Sequence, residues 1–222
     1  MKSYTNTISS MNEQTMTLSR RHFVASAGIA PLALGAAGTL LSPATAQAGV
    51  MDILENDNVL GDPKAPISIV EYASLTCPHC ADFHVNALKN IEEDYINSGK
   101  AFLIYRDFPL DRYAFQASVL AHAAGKDRFF AVLKILFEKQ AEWTAASDIT
   151  AALTKIGNMV GISKATFEKN LADEKLGESI LTDRMVGANE YGVSSTPTLF
   201  INGEKYEGSR EYEVLGPYLA GI

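Results

Sequence analysis

The chain has 222 residues, 47% of them hydrophobic, with 19 basic and 26 acidic side chains and a net charge of −7. That acidic balance argues against nucleic acid or anionic lipid as a partner, because both need a basic patch. Only two cysteines are present, too few for a small fold stapled together by disulfides.

Residues 1–48 read as a targeting segment. Arg20 and Arg21 precede an uncharged run over 24–48 that is rich in Ala, Gly and Leu and ends in Ala46-Gln47-Ala48. Paired arginines, a short apolar run and a small-residue cleavage pattern make a cleavable signal that resembles the twin-arginine (Tat) export address. A permanent membrane anchor is the competing reading, since about 20 apolar residues span a bilayer. Gly28, Pro31, Gly35 and Gly38 weigh against it. Removing this segment leaves 174 residues, 16 basic against 25 acidic, with no composition shift that marks a second core.

After a polar approach over 49–65, Ile67-Ser68-Ile69-Val70-Glu71-Tyr72 reads as a buried strand. From Cys77 the pattern becomes helical. Cys80, Phe83, Ala87, Leu88, Ile91 and Tyr95 share one face, and Ser98-Gly99 marks the end. Residues 101–105 form a second strand, closed by Phe108-Pro109, which completes a βαβ unit. Helices are expected over 113–124, 127–141, 148–160, 164–171 and 173–191. Gly125 separates the first two, and Ser163 caps the fourth. Asn202-Gly203 between Thr198-Leu199-Phe200-Ile201 and Glu204-Lys205-Tyr206-Glu207 predicts a β-hairpin. Ser209 is the candidate cap of a closing helix that Gly216-Pro217 should break or kink. The chain thus divides into a targeting segment (1–48), a first sheet part (49–111), an inserted helical domain (112–192) and a second sheet part (193–222), giving an α/β fold.

The chemistry concentrates at Cys77-Pro78-His79-Cys80. Thiol–disulfide exchange needs one thiolate to attack and a nearby thiol to resolve the mixed disulfide. Cys77 falls where the strand ends and the helix begins, facing unsatisfied N–H groups and the positive end of the helix dipole. Pro78 suits the first helical position, and His79 can carry a proton beside the sulfur. Cys80 falls on the apolar face, so Cys77 attacks and Cys80 resolves. A structural disulfide is the weaker reading, because so short a loop restricts the unfolded chain little. Zinc would need four ligands, and the spacing offers only Cys77, Cys80 and His84. We therefore expect no metal, and we take His84 and His122 as ordinary helix-surface or packing residues. Glu71 shares the strand face of Ile67 and Ile69, where a carboxylate is costly unless paired or protonated. It is a candidate proton acceptor for Cys80, against the alternative of a solvated strand tip. Ser194-Ser195-Thr196-Pro197 opens a strand with a proline, where cis bonds are found.

Ile69-Val70-Glu71-Tyr72, Cys77-Pro78-His79-Cys80, Phe108-Pro109-Leu110, Thr196-Pro197-Thr198-Leu199-Phe200 and the Asn202-Gly203 hairpin resemble the DsbA family of thiol–disulfide oxidoreductases. The resemblance covers nearly all of residues 58–216. It implies a thioredoxin-like fold with an inserted helical domain, a cis-Pro197 against the cysteine pair, and Glu71 as the buried acid beneath it. It also implies that Thr196 offers its backbone to an extended substrate peptide. Many members carry Val before the cis-proline, whereas Thr is common among isomerases and other relatives. The implied activity is a periplasmic dithiol oxidase acting on reduced exported proteins. It would be a monomer without cofactor, reoxidised by a DsbB-like, quinone-linked membrane partner. An isomerase or reductase of the same fold is the alternative, and a non-enzymatic peptide-binding chaperone a more distant one.

Overall fold

The computed structural model describes residues 49–222. The expected signal segment lies outside the described residues. Among these residues no helix is long and apolar enough to cross a membrane.

A five-stranded sheet runs in the order β1-β3-β2-β4-β5. Its strands are β1 (Asn58–Leu60), β2 (Ile67–Ala73), β3 (Ala101–Asp107), β4 (Thr198–Ile201) and β5 (Glu204–Tyr206). Central β2 pairs parallel with β3 and antiparallel with β4. Buried on both faces, it reads as a nearly continuous apolar run. Ile67 and Ile69 on one face pack with Leu103, Leu199 and Ile201 against Phe83, Leu88 and Ile91 of the following helix. Val70 and Tyr72 on the other face pack with Ile104, Phe108, Val193 and Phe200. The expected hairpin forms, with Asn202 at φ 48° and Gly203 at φ 92°.

β1 falls inside the stretch expected to be only a polar approach. Three residues carry no readable alternation, and the strand exists by pairing antiparallel with the edge of β3. Arg106 of β3 fastens the same stretch. Only 2% exposed, it donates Nε and Nη2 to Asp57 at 3.0 and 2.9 Å, and also reaches the carbonyls of Val50 and Asp52. Its Nη1 donates as well to the Tyr72 hydroxyl at 3.2 Å.

The helix after β2 is less regular than its periodicity suggests. It starts as α1 (Pro78–Asp82), widens into a π-helical turn over Phe83–Ala87, resumes as α2 (Leu88–Ile91) and ends in a second π turn over Glu92–Ile96. The extra residue in each π turn rotates the following face. Consecutive Phe83 and His84 both become buried.

Between Arg112 and Glu190 the regular elements are all helices, as expected. It comprises α3 (Arg112–His122), α4 (Lys126–Glu138), α5 (Gln140–Thr144), α6 (Ile149–Met159), α7 (Lys164–Leu171) and α8 (Glu174–Glu190). Side chains of Asp111, Asp148, Ser163 and Asp173 accept from the free N–H groups at four of their starts. The single helix expected over 127–141 is divided at Lys139. There the backbone leaves helical geometry, and Gln140 and Trp143 become buried in α5.

The closing helix α9 (Tyr212–Ala220) also departs from expectation. Glu211 rather than Ser209 occupies its N-cap position, and it runs through Pro217 without ending. The carbonyl that a proline leaves without its donor belongs to Glu213, an exposed residue that water can serve. Leu215 and Leu219 anchor this helix in the same core as β2 and α2.

Candidate active site

The two cysteines lie where the sheet meets the helical segment, in one apolar cluster with Tyr105, Phe129, Phe137 and Trp143. Both are free thiols here. Cys77 is the N-cap residue of α1, with extended backbone at φ −81° and ψ 120°, and Pro78 follows at the first helical position. The Cys77 carbonyl accepts from the N–H of Cys80 at 3.1 Å and from Nε2 of Gln140 at 2.9 Å. Gln140 also donates to the carbonyl of Leu75 at 2.9 Å, so α5 pins both sides of the turn that presents Cys77. The break at Lys139 brings this amide to the loop.

Across from Cys77 stands Thr196, joined to Pro197 by a cis peptide bond. The Cys77 thiol donates to the Thr196 carbonyl at 3.3 Å. The Cys77 pKa is lowered from the ordinary 9.0 to about 5. Its largest cause is a hydrogen bond from the Cys80 thiol, opposed by burial and assisted by Thr196 and by the backbone N–H groups of Cys80 and His79. The buried Thr196 hydroxyl has no partner among the described residues, and beside a Cys77 thiolate it is free to donate to the sulfur. What His79 brings to the sulfur is its backbone N–H; its side chain is exposed. Cys80, wholly buried, has its pKa pushed far the other way, chiefly by burial, then by Cys77 and the charge of Glu71.

Glu71 is fully buried on β2, not solvated at a strand tip. Its partner is His84, whose Nε2 lies 2.8 and 3.1 Å from the two carboxylate oxygens. His84 stacks on Phe137 with ring centroids 4.1 Å apart. His84 is thus a buried packing residue, within the expected alternatives, and its ring is in addition bonded to a buried carboxylate. His122 is a packing residue, as expected, bonded to Asp107 at 2.7 Å against Phe129. Sequence reasoning missed Gln140 and the Glu71–His84 pairing, although His84 stands one helical turn beyond Cys80.

Beside Cys77 opens a cavity of about 440 Å³, bounded by His79, Asp82 and Phe83 on one side and Thr196, Pro197 and Arg210 on the other.

This combination of sheet, helical segment, helix-capping cysteine pair and cis-proline defines the class of thioredoxin-fold proteins. The family model described as thioredoxin matches residues 54–220. A Rickettsia bellii protein, whose name assigns it provisionally to the protein-disulfide oxidoreductases, is 31% identical over 154 residues, covering 69% of this chain and 60% of its own length. The chain thus spans less than two thirds of that curated relative. Among solved structures, Wolbachia pipientis α-DsbA1 matches with TM-score 0.71 and 33% identity, over 77% of this chain and 92% of that one. Oxidised BdbD of Bacillus subtilis shares the fold, with TM-score 0.64 and 21% identity over 74% of this chain and 91% of that one. The chain belongs to the DsbA-like branch of the thioredoxin family.

Proposed function

We propose that the protein is an exported dithiol oxidase that works through Cys77 and Cys80. The observation that carries this reading is the opposed treatment of the two sulfurs, Cys77 held down to about 5 and Cys80 held up. A stabilised thiolate favours the reduced form of the protein, and so makes its disulfide a strong oxidant. A substrate thiolate attacks Cys77 of the oxidised pair. The Cys77–Cys80 bond breaks, and its electron pair goes to the Cys80 sulfur, which takes up a proton. The substrate's second thiolate then attacks the substrate sulfur of the mixed disulfide, and Cys77 leaves as thiolate. The substrate has lost two electrons and the protein has gained them.

Pro78 sets the helix start, and His79 supplies its backbone N–H to the sulfur. Glu71 exchanges the Cys80 proton, while Thr196 and Pro197 present backbone to the substrate in the neighbouring cavity. The substrates are cysteine-bearing exported chains in the periplasm, and a quinone-linked membrane oxidase of the DsbB kind regenerates the disulfide of the monomer. Adding oxidised protein to a reduced, unfolded two-cysteine protein tests the assignment. The native chain should form the substrate disulfide and the Cys77→Ser variant should form none; retained activity in the variant would remove Cys77 from the reaction.

A further inference from the structure

Glu71 is completely buried, so a proton that passes between it and Cys80 needs a path to water. His84 stands between Glu71 and a second cavity. Its Nε2 holds Glu71 on one side, while the residue keeps 8% of its surface exposed and lines a separate cavity of about 340 Å³. That cavity lies between α2 and α4, away from the substrate cavity, and is bordered by Lys89, Glu92 and Lys134. Tyr105 of β3 and Phe137 of α4 close the remaining sides of the ring, at centroid distances of 6.0 and 4.1 Å. The buried hydroxyl of Tyr105 has no hydrogen-bond partner among the described residues, so none joins it to His84 there. Imidazole can accept a proton at one nitrogen while releasing one from the other. A ring with one nitrogen on a buried acid, in a residue that lines a second cavity, is placed for that exchange.

We propose that His84 is a positioning and proton-exchange residue for Glu71, carrying the Cys80 proton between the buried carboxylate and solvent through the cavity between α2 and α4. The inference rests on Cys77 and Cys80 being the exchanging pair. It concerns the step in which the Cys80 thiol attacks Cys77 in a mixed disulfide. The new Cys77–Cys80 bond forms, the bond from Cys77 to the outgoing sulfur breaks, and that sulfur departs with the electron pair. The Cys80 proton passes to Glu71 and on to water by way of His84. No hydrogen bond joins Cys80 to Glu71 among the described residues, so a water molecule or a side-chain movement completes the first transfer.

The test uses a mixed disulfide prepared between Cys77 and thionitrobenzoate, whose coloured thiolate reports its own release by Cys80. The His84→Gln variant keeps a donor for Glu71 but cannot take up a proton, and His84→Ala opens the site toward the cavity. Release should slow about tenfold or more in His84→Gln. The deficit should vary with pH, and dissolved imidazole should restore much of the rate to His84→Ala. Wild-type rates in His84→Gln at every pH would overturn the proposal. So would an equal loss at all pH values without rescue by imidazole, which would leave His84 a packing role only. If the native mixed disulfide itself releases no thiolate while Cys80 is intact, the assignment of the cysteine pair fails, and the His84 proposal with it.

Discussion

Cys77 and Thr196 stand 119 positions apart in the chain, yet the thiol donates to the Thr196 carbonyl, and this meeting brings the Thr196 side chain to the sulfur. A thiolate at the start of a helix already has N–H donors. The Thr196 hydroxyl adds one that a valine could not supply. We predict that Thr196→Val moves the midpoint of the Cys77 thiolate absorbance up from about 5 by about one pH unit, the scale of a hydrogen bond to a charged group. An unmoved midpoint would mean that the backbone donors and Cys80 alone hold the charge. The residue types at Cys77, Pro78, Cys80 and Glu71 could be read from local pattern, because each follows from position on one strand or one helix start. The Glu71–His84 pair was not legible in that way. It joins two elements, and a π turn that no simple periodicity announces aims the histidine.

Among the elements, those fixed by short-range chemistry matched their expected limits. Helix α7, capped by Ser163, did so, and the Asn202-Gly203 hairpin did to within one residue at Glu207, because capping and turn chemistry lie within a few residues. Those defined by distant partners did not. β1 owes its existence to the edge of β3, α5 separates from α4 to carry Gln140 to the cysteine turn, and α9 tolerates Pro217 because its apolar residues pay into a common core. Helix α8 shows the same dependence at Gly187. A Cβ there would lie 2.7 and 2.9 Å from two ring carbons of Tyr72, closer than packed atoms allow. Gly187→Ala should therefore push α8 from the sheet and cost about 1–3 kcal/mol. Thermal melting would reveal it, while the Cys77 titration should stay where it is. Unchanged melting would show that Tyr72 yields, despite its bond to Arg106.

For the whole molecule, the charge on Cys77 couples redox state to folding. A thiol whose folded pKa is depressed from 9.0 to about 5 stabilises the reduced protein fully above the unfolded value, and this contribution is lost as pH falls through the folded one. At pH 7 it amounts to up to about 3 kcal/mol. The raised Cys80 acts with the opposite sign only as pH climbs past the ordinary thiol range. The reduced native chain should accordingly gain stability over reduced Cys77→Ser between pH 5 and pH 8, as read by denaturant unfolding. A difference independent of pH would contradict the linkage.

The same preference for the dithiol governs the central claim that the pair donates its disulfide. The most direct measurement is the equilibrium of Cys77 and Cys80 with reduced and oxidised glutathione, followed by the fluorescence of Trp143, the single tryptophan, which shares the cysteines' apolar cluster. The account predicts a pair more oxidising than the glutathione couple. A pair markedly more reducing would contradict the oxidase reading and place the protein among reductases or isomerases fed by an electron donor.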